Sequence, residues 1–565
     1  MRTRSLSVAA AATTLLVAGL SSQGRGGNAN EWPTAYGDAQ HSSWIRSDAN
    51  ISVDAMSRPG FALQWKTKVD SPVRGGVSLS QGAVTPAVTL FTPLSTVAGP
   101  ANLIFALDND TGNVFWTRRL DGTIPPGTAA CPGGISGAPT RIANPMPAAV
   151  APARGAAAGR SGRSYSSAVG EPGAGVPIPA RGGAGGGRGA AAPGAPPPGT
   201  LAAPAPQPNP AAAGRRQGTA APAPVSPSPF PTNPAAVAAA GGANGGLFRS
   251  SGVIHVVSAD GMFRALGLVS GKDMQKPATF LPAGARVSDL IGVGDRVYTT
   301  TSHGCGGAPN AIWAINASGD PNTIASWKTN GGEVVGPVAF ATNGTLIAAV
   351  GPGTVVALDP ATLVGKDSFT QPGFELATAP VILQQSGKDI VVVATKDGRI
   401  VLLDAASLGG ASHATPLFAS VRVTTGGATF SSVLPATWQD DATHWLLVSL
   451  STGGVQAFTL SEHAGAFSVQ AGWTSERITS PLTPVIINGV VFAASGGTTA
   501  PARLYALNGA TGQTMWQSGS AMRAPVSGRS LWAGPGQVYV GTLDGTVYAF
   551  GFDMERGAPD KRGNQ

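Results

Sequence analysis

Charged residues are scarce in this chain: only 12% of its 565 residues are Asp, Glu, Lys or Arg, and 6% are aromatic. Two cysteines are present, Cys131 and Cys305, which excludes Cys-x-x-Cys metal and redox motifs, Cys-x-x-Cys-His haem attachment and any pair of adjacent cysteines. The six histidines, His41, His255, His303, His413, His444 and His463, show no ligand spacing, and no Gly-x-Ser-x-Gly elbow is found. Long apolar runs are also missing, apart from Leu6 to Leu20 near the amino terminus.

What is abundant is glycine, 79 residues, within a 42% hydrophobic composition. Many short strands joined by tight turns fit that balance better than helical bundles, so an all-β fold is expected. Arg2 and Arg4, the apolar run and the small polar stretch Ser21, Ser22, Gln23, Gly24 have the order of a secretory signal peptide, read as residues 1–24. The run is short for a membrane span, so no transmembrane segment is expected in the mature chain. The expected location is periplasmic or extracellular. A lipoprotein is disfavoured because the first cysteine is Cys131.

The net charge of +8 dissolves on inspection. Residues 145–246 hold seven arginines and one acid, Glu171, and Arg2 and Arg4 account for the rest of the excess. A neutral body offers no phosphate-binding face, so no nucleic-acid partner is expected. That stretch of Ala, Pro and Gly has too few large apolar residues to offset the entropy of ordering, and it reads as a disordered insertion.

Removing the insertion exposes a repeat. Ala106-Leu107-Asp108-Asn109-Asp110-Thr111-Gly112 is followed by Trp116, and Ala506-Leu507-Asn508-Gly509-Ala510-Thr511-Gly512 by Trp516. Weaker copies centre on Ala265, Ala314, Ala357, Leu402, Ala457 and Ala549, giving eight units. Turn dipeptides at Asp260-Gly261, Asp397-Gly398, Gly453-Gly454 and Asp544-Gly545, and earlier in the unit at Asn343-Gly344 and Asn488-Gly489, punctuate short strands. Two hairpins plus a strand ending in Trp make a four-stranded antiparallel blade, so an eight-bladed β-propeller is predicted. The last unit, from Ser530 to Phe550, has no Trp-ending strand. Phe61 to Thr67 has the period-2 pattern of an outer strand and is predicted to close the ring. The predicted organisation is a lead-in segment at 25–60, propeller at 61–144 and 247–552, and a tail at 553–565.

The motif Ala-Leu-Asp-x-x-Thr-Gly-x-x-x-Trp at 106 to 116 resembles the repeat of pyrroloquinoline quinone (PQQ) enzymes, and the resemblance runs from about Trp32 to Phe552 outside the insertion. It implies the fold; the superfamily holds PQQ-dependent alcohol and sugar dehydrogenases and also cofactor-free scaffolds. Trp116 and Trp516 are read as packing devices between blades. Calcium-assisted PQQ chemistry needs hard oxygen ligands and a carboxylate base in the central funnel, and Asp289 and Glu333 fall near starts of inner strands. No catalytic or cofactor-binding residue is assigned and no metal site is expected. The preferred reading is a non-enzymatic exported propeller that binds a protein or envelope polymer; the alternative is a PQQ-dependent dehydrogenase with a divergent site, using PQQ and calcium.

Strand parity makes one further expectation. The loop leading into a blade and the second hairpin turn of a blade emerge on the same face, so Cys131, leading into the second blade, and Cys305, in the second turn of the third, are expected to form a disulfide there.

Overall fold

The computed structural model describes residues 31–553 apart from 75–77, 87–92, 125, 129, 143–251, 319–320, 424–428, 441–442, 452 and 527. The signal-peptide and insertion readings, and all but the first residue of the tail, lie outside the described residues.

Eight antiparallel sheets follow one another along the chain. Blade 1 consists of Ala83–Pro86, Pro93–Gly99, Leu103–Asp108 and Val114–Arg119; blade 2 of Val253–Val257, Met262–Gly267 and Ala278–Thr279. The inner strand of blade 2 is reduced to one bridge, Thr140 to His255. Blade 3 contains Arg286–Val287, Ile291–Val293, Arg296–Ser302, Ala311–Asn316 and Ile324–Lys328. Blade 4 contains Ala339–Phe340, Leu346–Val350, Thr354–Leu358 and Gly365–Thr370, and blade 5 Val381–Gln385, Lys388–Ala394, Ile400–Asp404 and Phe418–Ala419. Blade 6 contains Ala436–Gln439, His444–Leu450, Gly454–His463 and Ala466–Thr474, and blade 7 Val485–Ile487, Val490–Ala494, Leu504–Asn508 and Thr514–Gln517.

Blade 8 takes Leu531–Gly534, Gln537–Gly541 and Thr546–Gly551 from the carboxyl end and its outer strand, Ala62–Lys68, from the amino end. The predicted closing strand is therefore in place, and it leaves the ring without an open sheet edge at this seam.

Side-chain pattern follows depth in the blade. Second strands such as Lys388–Ala394 end in runs of Val and Ala buried on both faces, whereas outer strands such as Ile324–Lys328 alternate exposed and half-buried residues. The Trp and Thr-Gly elements of the repeat meet across blade boundaries. Trp116 stands over Gly271 of blade 2 and donates its indole N–H to the Leu268 carbonyl at 2.8 Å. Trp473 likewise donates to the Gly509 carbonyl of blade 7 at 2.8 Å. Trp516 packs edge-on against Phe61 and Phe550, ring centroids 4.9 and 5.6 Å away, at the seam of blades 7 and 8.

The lead-in segment holds the least expected feature. Residues 32–43 visit the inner strands of seven blades in ring order. Val84 of blade 1 donates to Trp32 O (2.8 Å), Arg141 of blade 2 to Pro33 O (2.8 Å), and Thr34 donates to Leu290 O beside the inner strand of blade 3 (2.8 Å). Phe340, Ile382, Thr437 and Ile486, in blades 4 to 7, donate to the carbonyls of Ala39, Gln40, Ser42 and Ser43 at 2.8 to 3.0 Å. Trp44–Ile45 then pairs in parallel with Val485–Ile487, and Asp48 accepts from Gly536 of blade 8 at 2.7 Å. Inner strands surround the axis of a propeller, so this segment plugs the central opening with the chain's own backbone.

Candidate functional site

The face that carries the loops leading into the blades is braced first by a covalent link. Cys131 and Cys305 are disulfide-bonded, with Cα atoms 5.5 Å apart. Cys131 lies in the loop leading into blade 2, and that loop is zipped onto the start of blade 3. Arg286 donates to Ala130 O (2.9 Å), Val287 N to Ser136 Oγ (2.8 Å), and Ala138 N to Asp289 Oδ1 (2.9 Å). Arg74 adds a contact to Pro132 O at 3.3 Å.

At the floor of the funnel the Arg529 guanidinium, from blade 8, meets the Asp289 carboxylate of blade 3 at 2.7 Å. The Asp289 side chain is only 3% exposed, so its charge is spent on Arg529 and on the Ala138 amide. Burial alone would lower the Arg529 guanidinium, and the Asp289 charge reverses this and holds it above its ordinary value. Beneath the pair lies the plug. Burial, with Asp289 adding to it, pushes the Tyr36 phenol up, and burial lowers His41 to about 4 against the opposing pull of Asp38 and Asp289. The rings of Tyr36 and His41 meet edge-on at 5.6 Å, and both residues have left-handed backbone, φ 61 and 60°. Arg286 is lowered, chiefly by burial and then by the positive charge of Arg529.

Beside the floor opens a cleft of about 720 Å³ across blades 4 to 6. Its wall is built three times from the same element. Just before each inner strand the chain runs beside the end of the second strand: Gly351 N donates to Glu333 O (2.9 Å), Lys396 N to Glu375 O (2.6 Å) and Ser451 N to Thr429 O (2.8 Å). Glu333, Glu375 and Thr429 thus hold equivalent positions in consecutive blades, and Arg286, paired with Ser302, holds that position in blade 3. The apolar part of the wall includes Val334, Val335, Leu376, Phe430 and Pro352. Both glutamates are more than half exposed; Glu333 faces His303 at 3.5 Å and Glu375 faces Lys396 at 3.1 Å.

The two acids singled out from sequence are therefore separated in role. Asp289 is buried in an ion pair, and Glu333 stands on the cleft wall with Glu375, which sequence reasoning missed. The missed signal is a spacing of 42 residues, close to the repeat interval. Trp116 and Trp516 sit in outer strands, away from both places. Among the described residues no group of three or more His, Cys, Asp or Glu side chains is placed to hold a metal ion, and no helix is long and apolar enough to cross a membrane.

No family model matches the sequence, and no curated protein matches it. Solved structures do. The quinohemoprotein alcohol dehydrogenase from Comamonas testosteroni is 13% identical with a TM-score of 0.52, over 92% of this chain and 80% of its own. The quinohemoprotein alcohol dehydrogenase ADHIIG from Pseudomonas putida is 10% identical with a TM-score of 0.51, over 95% and 82%. A europium-containing methanol dehydrogenase is 10% identical with a TM-score of 0.51, over 93% and 98%. At such identities the likeness is one of fold: this chain shares the eight-bladed propeller architecture of these structures.

Proposed function

We propose that this chain is an exported binding propeller, without quinone chemistry, whose ligand occupies the cleft of blades 4 to 6. The observation that carries the reading is the state of the funnel floor. Its buried carboxylate, Asp289, is neutralised by Arg529 and hydrogen-bonded to the Ala138 amide, and the opening beneath is filled by residues 32–43.

Calcium-assisted PQQ oxidation would ask more of these residues. A hard cation needs several oxygen donors, and alcohol oxidation needs a free carboxylate base to take the hydroxyl proton. Asp289 is the buried carboxylate at the floor, and freeing it would strand the Arg529 charge. Glu333 and Glu375 are solvated and each faces a basic side chain. The residues present do not fit the cofactor. The disulfide supports export, since such bonds persist in oxidising compartments, and a rigid braced face with an exposed, half-apolar cleft suits binding.

The fold likeness to alcohol and methanol dehydrogenases keeps one rival reading, a PQQ-dependent dehydrogenase with a divergent site. The test is titration of the purified protein with PQQ and calcium, followed by absorbance and by dye-linked oxidation of alcohols and sugars. The binding reading expects neither saturable cofactor uptake nor turnover. Saturable uptake with turnover abolished in Asp289→Asn contradicts it.

A further inference from the structure

The cleft carries information about what it binds, an inference that rests on the binding reading above. We propose that it takes an extended peptide segment of a partner protein, laid crosswise over blades 4 to 6, with a basic side chain seated between Glu333 and Glu375.

The first ground is the hydrogen-bond pattern of the wall. In blade 4, Val335 N donates to Ala349 O and Gly351 N to Glu333 O, so Val334 opposite Val350 is the non-hydrogen-bonded position. Blade 5 repeats this at Leu376, flanked by the bonds of Ala377 and Lys396, and blade 6 at Phe430, flanked by those of Ser431 and Ser451. At such positions an antiparallel ladder turns the N–H and C=O away from the partner strand. On an inner strand that direction is the funnel, which gives three amide and carbonyl pairs at equivalent positions of successive blades.

The second ground is independent of the first and lies one layer below. Ala39, Gln40, Ser42 and Ser43 already run crosswise around the axis and accept the inner-strand amides of blades 4 to 7. One or two residues of this segment, turned at His41 and Ser43 by left-handed backbone, thus span each step between neighbouring blades. The same blades that hold this segment in cis present above it a second tier of backbone groups that find no partner among the described residues, which is the setting for strand-like peptide addition.

Side-chain chemistry selects among peptides. Glu333 and Glu375 stand at equivalent positions of adjacent blades, and Lys396 offsets one of the two charges. A residual negative wall over an apolar base of Val334, Leu376 and Phe430 fits the methylene stem and cationic head of Arg or Lys. Anionic glycans and acidic peptides are repelled by it, and a neutral sugar leaves the three amide pairs unread.

The probe is a dye-labelled, acetylated and amidated heptapeptide of alternating Ala and Arg, measured by anisotropy with the full chain; its controls replace Arg by Gln or methylate alternate backbone nitrogens. The Arg peptide is expected to bind, to weaken about fivefold in Glu333→Gln and again in Glu375→Gln, and to weaken between about 50 and 500 mM salt. N-methylation is expected to abolish binding. Both glutamates are exposed, so neither variant disturbs folding. Equal binding of the Gln peptide, or indifference to both variants, overturns the proposal. Protection of Glu333 and Glu375 from carbodiimide by a cell-wall glycan fragment, but not by the peptide, overturns the peptide while sparing the binding reading; PQQ uptake with turnover ends the binding reading itself.

Discussion

Trp65, carried by the closing strand, lies flat on Gly112 of the first repeat and donates its indole N–H to the Asn109 carbonyl at 2.7 Å. A Cβ built on Gly112 would stand 2.5 Å from the ring, and Gly112 has a φ of 72°, so both space and backbone demand glycine. The contact joins blade 8 to blade 1 and thereby locks the two chain ends into one ring.

Gly112→Ala is expected to destabilise by about 2 to 4 kcal/mol through overpacking and strain, and Trp65→Ala by about 3 to 5 kcal/mol through cavity formation. Denaturant unfolding checks both. Val364→Ala, at a side chain 63% exposed, is the control and should change stability by less than about 0.5 kcal/mol. Equal effects at the two sites would mean that the seam contributes nothing special.

Reducing the Cys131 to Cys305 bond, or replacing Cys305 by Ser, should cost on the order of 2 to 4 kcal/mol by releasing a constraint between positions 174 residues apart. The loop leading into blade 2 should then become cleavable near residues 126–134 while blades 4 to 6 stay protected. Thermal melts with limited proteolysis read both effects, and an unchanged melt after full reduction would remove the disulfide from the stability account.

The Asp289 and Arg529 pair should show a strong asymmetry between single and double variants. Arg529→Met leaves a buried carboxylate without its partner and should cost about 3 to 5 kcal/mol. Adding Asp289→Asn to it should recover much of that loss, because the stranded charge is gone. Additive losses would place the two residues in separate roles.

Acid should destabilise the protein through histidines buried in neutral form. Burial lowers His41 to about 4 and His255 to about 3. Their unfolded values lie near 6.5, so between that pH and the folded values the unfolded chain binds the extra protons, and stability falls as pH falls. Urea unfolding at about pH 7, 6, 5 and 4 should show this loss, and His255→Gln should flatten the profile even though it lowers stability at neutral pH. A profile that is flat in the wild-type chain across that window contradicts the buried neutral assignment.

Much of the ring was legible because the repeat writes it down more than once. Ala106 to Trp116 and Ala506 to Trp516 give the frame, the Asp-Gly and Asn-Gly turns give the hairpins, and the missing last strand points to Phe61 to Thr67. Even the cysteine pair followed from parity. The plug was not legible, because residues 32–43 give one or two hydrogen bonds to each blade and so carry neither helical nor strand periodicity. The partner of Asp289 was hidden for a related reason: Arg529 lies 240 residues away, and only ring closure brings it across the axis. Glu375 shares its position with Glu333, yet each precedes an irregular step into its inner strand, which blurs the register that a repeat alignment would use.

An axis closed by the chain's own backbone underlies the proposed site, and hydrogen exchange of the inner strands measures that closure directly. The amides of Phe340, Ile382, Thr437 and Ile486 donate to residues 39–43, so exchange should be slow there, near the limit set by global unfolding, and should accelerate at all four sites in a variant lacking residues 26–45. Exchange at these four amides as fast as in exposed turns of the intact protein would mean an open channel, and would contradict both the plug and the one-faced site built upon it.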